Sequence, residues 1–377
     1  MAVTTVPTNA RVIKWERDFY REYIRANRFS KYMGADESAV VQVNEDLTKA
    51  IGETINFSLV NRLGGNTNTA TGAVSGQVSG ITGYNTLEGN EEAVGIRNFR
   101  VTVDRTRWAV VHDGLDDQFS AIDLVSAKRA TLMDWSKENI RDRIIGALGS
   151  ISTNGSTHVV YASATEANKD TWLTNNQDRV VVGAIITNTT ATLDHSTSLA
   201  NADTTADTFT GANLKYLKDI AKSANPKIKP IKVNDEEEYY VVFTGTANFR
   251  VLQTDLATTT LALVQGGEKR NDNPIFTSGD LMYDGMIIRE IPEILGLGTV
   301  GASSAKVMPA YLCGAQAISY AVAQRSKMIS QERDYGAKKG AGTEMIDGIA
   351  KMYFGAGSAD TTTPRQNGVC TGYYAYA

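Results

Sequence analysis

Cysteine and histidine are scarce in this chain of 377 residues: there are two cysteines, Cys313 and Cys370, and three histidines, His112, His158 and His195. Two distant thiols cannot form a disulfide scaffold, and they suit a reducing compartment. The histidines fall in no metal-ligand spacing, which argues against a zinc enzyme. Long apolar runs are missing as well. No stretch approaches about eighteen apolar residues, so no membrane span is expected. Residues 1–14 have no apolar core of the kind a secretory signal needs, so the chain is expected to stay soluble inside the cell that makes it. A basic excess is also absent. Lys plus Arg number 38 against 42 Asp plus Glu, giving a net charge of −4, which does not suit a dedicated nucleic-acid binder. What is present suffices for a folded protein: 42% of residues are hydrophobic, enough for one large domain or two linked ones.

Residues 11–33, RVIKWERDFYREYIRANRFSKYM, read as an amphipathic helix, with Trp15, Phe19 and Tyr23 at i, i+4, i+8 beside Tyr20 and Ile24. The opposite face is basic and includes Arg17 and Arg21. The aromatic stripe must be buried, either in the chain's own core or as an arm on a neighbouring subunit. Residues 54–62 alternate with Ile55, Phe57 and Leu59 on one face, and residues 96–112 alternate with Phe99, Val101 and Val103. The apolar face then switches to Trp108 and Val110, which predicts a bulge or bend near Asp104 to Arg107. The two runs read as arms of a long hairpin around a tip rich in Gly, Thr, Asn and Ser. Such a tip cannot bury enough apolar surface to order itself, and a free two-stranded hairpin is marginal in water.

Residues 115–148 carry a broad apolar stripe of Ile122, Val125, Leu132, Trp135, Ile140, Ile144 and Leu148. They predict one long helix, capped by Asp116 or Asp117, with Lys137, Glu138, Arg141 and Asp142 on its wet face. Residues 150–211 change character; the nine threonines of 187–211 predict a surface insertion with short strands such as 179–187. A helix over 212–224 ends at Pro226. Segments 228–233, 237–245, 274–279, 285–294 and 306–322 then read as strands, with a helical stretch in TANFRVLQTDL. The pattern predicts an α+β protein.

Enzyme signatures fail on context. GLGTVG at 296–301 has dinucleotide-site spacing, but an extended segment follows it instead of a helix and a distant acid. GAKKGAGT at 336–343 lacks the order of a phosphate loop. No catalytic residue, cofactor site or metal site is expected.

Several segments in order do carry a resemblance. WERDFYREYIRANRFSKYMG precedes VVQVNEDLTKAIGETINF; LEGNEEAV follows at 87–94, then YLCGAQAISYAVAQR at 311–325, QERDYGAKKG at 331–340 and GIAKMYF at 348–354. Together they resemble the major capsid proteins of tailed bacteriophages, in the group that shares L-E-G-N-E-E. The likeness runs from about Trp15 to Phe354, except for 150–211. It implies the α+β Hong Kong 97 capsid fold: an N-terminal arm (1–50), an extended hairpin or E-loop (51–113), the spine helix of a peripheral domain (114–149), an insertion (150–211), and an axial domain with returning peripheral strands (212–377).

The implied function is self-assembly into hexamers and pentamers of an icosahedral head around double-stranded DNA. The implied location is the virion, after assembly in the host cytoplasm. The alternatives are a tail-tube protein and, further off, a nucleotide-binding enzyme using GLGTVG. Expected intersubunit residues are Trp15, Arg17, Phe19, Tyr20 and Arg21 of the arm, Leu87, Glu88, Glu91 and Glu92 of the returning hairpin, and Arg105 and Arg107 beyond it. The basic face of 11–33 either lines the interior or pairs with Glu88, Glu91 and Glu92 of another copy. Besides further copies of itself, the expected partners are a separate scaffolding protein, a portal, a cement or decoration protein, and packaged DNA held by weak non-specific contact; no membrane is expected. The chain has no lysine between Lys49 and Lys128, which excludes a lysine crosslink from the E-loop. A coat of net charge −4 would not draw DNA in, so an ATP-powered motor is expected to drive packaging.

Overall fold

The computed structural model describes residues 27–45, 53–60, 86–88, 91, 96–120, 122–153, 157–233, 237–265, 280–355 and 364–376. In chain order the strands are β1 Met33–Gly34, β2 Val41–Asn44, β3 Thr54–Val60, β4 Ile96–Thr102 and β5 Asp104–Asp113. Helices α1 Gly114–Phe119, α2 Leu124–Gly149 and α3 Glu166–Asn175 follow, then β6 Val180–Val182, α4 Thr187–Thr190, α5 His195–Ala200 and α6 Gly211–Ser223. Next come β7 Ile231–Val233, β8 Glu237–Thr244, α7 Thr246–Gln265, β9 Asp280–Tyr283, β10 Met286–Glu290 and β11 Lys306–Cys313. The chain ends with β12 Ile318–Arg333, β13 Lys338–Lys351, β14 Tyr353–Gly355, β15 Pro364–Gln366 and β16 Val369–Tyr376.

Two larger sheets organise these elements. The first has five strands in the order β1-β2-β12-β13-β5, with α2 laid along one face. The second has seven, β6-β16-β11-β8-β10-β9 with β7 beside β8; α6 and α7 pack on its central strands β16 and β11. Near-continuous apolar sequence explains why β11 and β16 sit centrally: both are buried along almost their whole length. Among the described residues no helix is long and apolar enough to cross a membrane.

The long helix expected over 115–148 is two helices. Asp113 caps α1, and Asp123 caps α2 by accepting from the amides of Val125 and Ser126. Asp116 and Asp117 therefore lie inside the first turn of α1 and cap nothing. At about 1.5 Å per residue, the 26 residues of α2 span roughly 39 Å. Arg141, expected on the wet face, is buried and pairs with Glu293 in the loop after β10 at 3.4 Å. That partner is invisible to helical periodicity.

The expected hairpin divides at Val103. β3 and β4 pair antiparallel from Thr54↔Thr102 to Val60↔Ile96, whereas β5 leaves to pair with β13. Ile55, Phe57, Phe99 and Val101 at its root share one core cluster with Trp172, Tyr353 and Phe354. The segment 150–211 is likewise more than a surface insertion. It buries Trp172, Leu173 and Phe209, and its strand β6 pairs parallel with β16.

Of the expected helix over 11–33, residues 11–26 lie outside the described residues. Arg28–Tyr32 form a short 3-10 turn capped by Asn27, and Phe29 packs fully buried on Phe243 at 4.8 Å between ring centroids. The expected strand at 274–279 also lies outside the described residues.

Candidate assembly surface

Among the described residues, α2 covers one face of the first sheet and the other face is open. On β13, Ala341, Thr343, Met345 and Asp347 are buried on the side of α2, while Gly340, Gly342, Glu344 and Ile346 alternate to the other side. On β5, Trp108 stacks on Trp135 of α2 with ring centroids 5.8 Å apart. Arg107, Ala109 and Val111 therefore face the open side. Registry then lines up Val111, Gly340 and Gln331 in one row, and Ala109, Gly342 and Ile329 in the next. Two glycines side by side with exposed Val111 and Ile329 leave a groove of about 460 Å³. Arg107, Glu344 and Arg333 supply charges at its rim.

Glycine inside a strand weakens it and marks places where another backbone comes close. At Gly342 the fold itself does not demand glycine: an added Cβ would meet nothing nearer than the Trp108 carbonyl oxygen at 3.4 Å, an ordinary contact. Among the described residues nothing fills the space over β13.

Of the residues expected at intersubunit contacts, Trp15, Arg17, Phe19, Tyr20, Arg21 and Glu92 lie outside the described residues. Leu87 is exposed, as are Glu88 and Glu91. Arg105 and Arg107 project from the same face of β5; Arg105 pairs with Glu344 at 3.6 Å, and Arg107 lines the groove. Sequence reasoning missed Ile329, Gly340 and Gly342. The available signal was the i, i+2 spacing of the two glycines in GAKKGAGT, which puts both on one strand face.

Where β5 turns into α1, His112 sits between two charges. Its Nε2 lies 2.9 Å from Asp117 Oδ2, and its Nδ1 faces Lys128. Lys339 Nζ adds a 3.4 Å contact to the same carboxylate. The hydrogen bond from His112 leads the causes that hold the Asp117 carboxyl below its usual range, while burial lowers the Lys128 ammonium.

Potentially reactive groups are mostly locked in the core. Burial pushes the Cys313 and Cys370 thiols far above their usual range, which leaves them poor nucleophiles. Lys351 is wholly buried, donates to Gln366 Oε1 at 2.9 Å, and is brought down to about 7 by desolvation. Glu166, Asp170 and Asp194 bring carboxylate oxygens within 4.8 Å of one another, close enough to share a cation. Two of the three have structural tasks: Asp194 caps α5, and Asp170 accepts from the His195 amide. GLGTVG lies in the loop before β11 and opens no long helix. An added Cβ at Gly296 would fall 2.7 Å from the Tyr376 hydroxyl, so packing against β16 explains that glycine.

A family model described as phage capsid protein matches residues 3–375. The chain belongs to that family, and its fold is the Hong Kong 97-like α+β fold of phage capsids. Within the family it is a major capsid protein of a tailed phage, a structural protein that builds an icosahedral head from many copies of itself. It is 26% identical over 371 residues to the major capsid protein of Pseudomonas phage KPP25, covering 92% of this chain and 90% of that one. Among solved structures, the capsid asymmetric unit of cyanophage Pam1 is 32% identical, with a TM-score of 0.85 and full coverage of both chains. The capsid of Ralstonia phage GP4 shares the fold at 21% identity and a TM-score of 0.74, covering 100% of this chain and 99% of that one.

Proposed function

We propose that the chain assembles into hexamers and pentamers in which the extended hairpin of one copy lies over the open sheet face of its neighbour. The observation that carries this reading is the groove over Gly340 and Gly342, flanked by exposed Val111 and Ile329. A groove floored by glycine admits an extended backbone, and Arg107 and Arg333 at its rim suit the acidic return segment containing Glu88, Glu91 and Glu92. Head-to-tail contacts of this kind close into rings. The same reading gives Trp15, Phe19 and Tyr20 an apolar contact on another copy, with Arg17 and Arg21 meeting acidic residues there. Leu87 completes the return segment, and Arg105 steadies Glu344 beneath it.

The role is structural, without catalysis. A separate scaffolding protein, a portal and a cement or decoration protein complete the head. Double-stranded DNA is driven in by a motor and touched only weakly, and assembly takes place in the host cytoplasm.

The test is Gly342→Val. Valine suits a strand and has room on the isolated subunit, so the unassembled protein should melt at or above the wild-type temperature. Shells should fail to form. Normal shells from a well-folded Gly342→Val protein would refute the docking.

A further inference from the structure

Helices α3 and α5 pack on each other, and negative charge collects where they meet. Glu166 and Asp170 stand one turn apart on α3, and Asp194 caps α5; an oxygen from each lies within 4.8 Å of the other two. Lys169 approaches the group, with Nζ 3.6 Å from Glu166 Oε2, while also lying over the Tyr161 ring. One ammonium against three carboxylates leaves the cluster strongly anionic.

Acidic residues often gather at a surface without an ion, so the histidine beside them matters more. His195, the first residue of α5, has a side chain only 3% exposed. The rings of Tyr161, Trp172 and Tyr373 surround it, with centroids 5.5, 6.1 and 5.7 Å away. Its Nε2 faces the Tyr161 hydroxyl at 3.5 Å. Its Nδ1 points at Glu166 Oε1 from 3.8 Å, beyond hydrogen-bond reach, and has no hydrogen-bond partner among the described residues. Burial favours the neutral ring. With the remaining proton on Nε2, Nδ1 aims a lone pair into the carboxylate cluster, and the tyrosine hydroxyl behind it fixes the ring.

The carboxylates keep oxygens to offer. Asp170 Oδ1 accepts from the His195 amide at 2.8 Å and Asp194 Oδ1 from the Thr197 amide at 2.7 Å, which leaves a second oxygen on each. Glu166 divides in the same way, Oε2 toward Lys169 and Oε1 toward His195. Ligand atoms lie about 2.0–2.4 Å from a divalent ion, hence up to about 4–5 Å from one another, so these groups need move little to share one. Three carboxylates with one imidazole suit zinc or manganese better than calcium or magnesium, which prefer oxygen ligands alone.

We propose that Glu166, Asp170, Asp194 and His195 bind one divalent transition-metal ion, zinc above all, which clamps α3 to α5. The site is structural and stands apart from the docking of the hairpin. Through Tyr373 it adjoins β16, so the clamp fixes part of the 150–211 segment against the second sheet. Histidine spacing does not disclose it, because three of its four ligands are carboxylates.

The test uses the full chain, stripped of metal with EDTA and titrated with zinc chloride by calorimetry. One zinc ion per chain should bind, with a saturable rise in melting temperature. Glu166→Gln changes an exposed helical position, and Asp170→Asn keeps an oxygen for the His195 amide, so both should melt as wild type does without metal. Each should weaken zinc binding at least about tenfold. In a chain carrying isotope-labelled histidine, zinc should move the Nδ1 resonance of His195 and leave those of His112 and His158 in place. Magnesium or calcium at the same concentration should change neither that resonance nor the melting temperature. No zinc binding by the folded wild type, equal affinity in Glu166→Gln and Asp170→Asn, or zinc binding with an unmoved His195 resonance would overturn the site. Calcium or magnesium bound there as tightly as zinc would overturn the choice of ion. None of these readings depends on whether shells form.

Discussion

Arg143 on α2 reaches Asp347 on β13 with 2.5 Å between Nη1 and Oδ1, and Asp347 is only 1% exposed. A second bond, from Nη2 to the Asp347 carbonyl at 3.2 Å, fixes the guanidinium. This pair ties the long helix to the sheet whose other face is open. Arg143→Met would leave a buried, uncompensated carboxylate and should cost about 3–5 kcal/mol in urea unfolding of the unassembled subunit. Combining Arg143→Met with Asp347→Asn should recover much of that loss. An Arg143→Met protein as stable as wild type would show that the pair holds nothing together.

Lys351 gives a pH signature. Burial lowers its native pKa from 10.5 to about 7. Between those values the unfolded chain binds a proton that the native chain does not, so native stability rises with pH across that window. The slope is up to about 1.4 kcal/mol per pH unit, and below pH 7 this contribution is flat at its least favourable. Lys351→Met should remove the slope and raise stability by about 1–4 kcal/mol near neutral pH, partly offset by the lost bond to Gln366. Denaturant titrations at several pH values read both effects. An unchanged slope in the variant would assign the pH dependence elsewhere.

Gly348 controls how closely the hairpin root crosses β13. A Cβ there would fall 2.3 Å from the Thr102 carbonyl oxygen and 3.0 Å from Val101 Cγ1. Gly348→Ala should cost about 1–3 kcal/mol through forced displacement of backbone. Hydrogen exchange should quicken in 54–60 and 96–102 more than in β11 or β16. Uniform protection across the molecule would contradict this local effect.

Deleting residues 64–84 should leave a soluble, folded subunit, because the buried root of the hairpin lies outside the deletion. Circular dichroism and melting temperature should match wild type, while negative-stain images should show no shells. Intact shells would mean that the hairpin tip is dispensable for assembly.

The parts of the fold legible in the sequence were those with a strong local period. The helix predicted over 212–224 corresponds to α6, where Thr210 caps and Leu214, Leu217 and Ile220 face inward. The strands of 306–322 were legible because β11 is continuously apolar. The break at Ser120–Asp123 was not, since no Pro or Gly marks it and its cause is a side-chain cap. Burial of Arg141 depends on Glu293, far away in sequence. The β12–β13 hairpin is not legible because residues 325–333 are exposed along the strand and carry no apolar alternation. The groove was hidden for the same reason: its signal is two glycines and an empty space, which only strand pairing brings together. Tyr335 stood in plain view within QERDYGAKKG, but its left-handed backbone is a property of the folded turn.

On this account the open sheet face is completed by identical subunits in a closed shell. Electron microscopy of the purified full-length chain, taken through a concentration series alongside sedimentation velocity, tests that most directly. The expected result is a sharp onset of closed icosahedral particles with six-fold and five-fold capsomers and neighbouring density over Gly342. A subunit that stays monomeric at every concentration, or closed particles with solvent over that face, would contradict it.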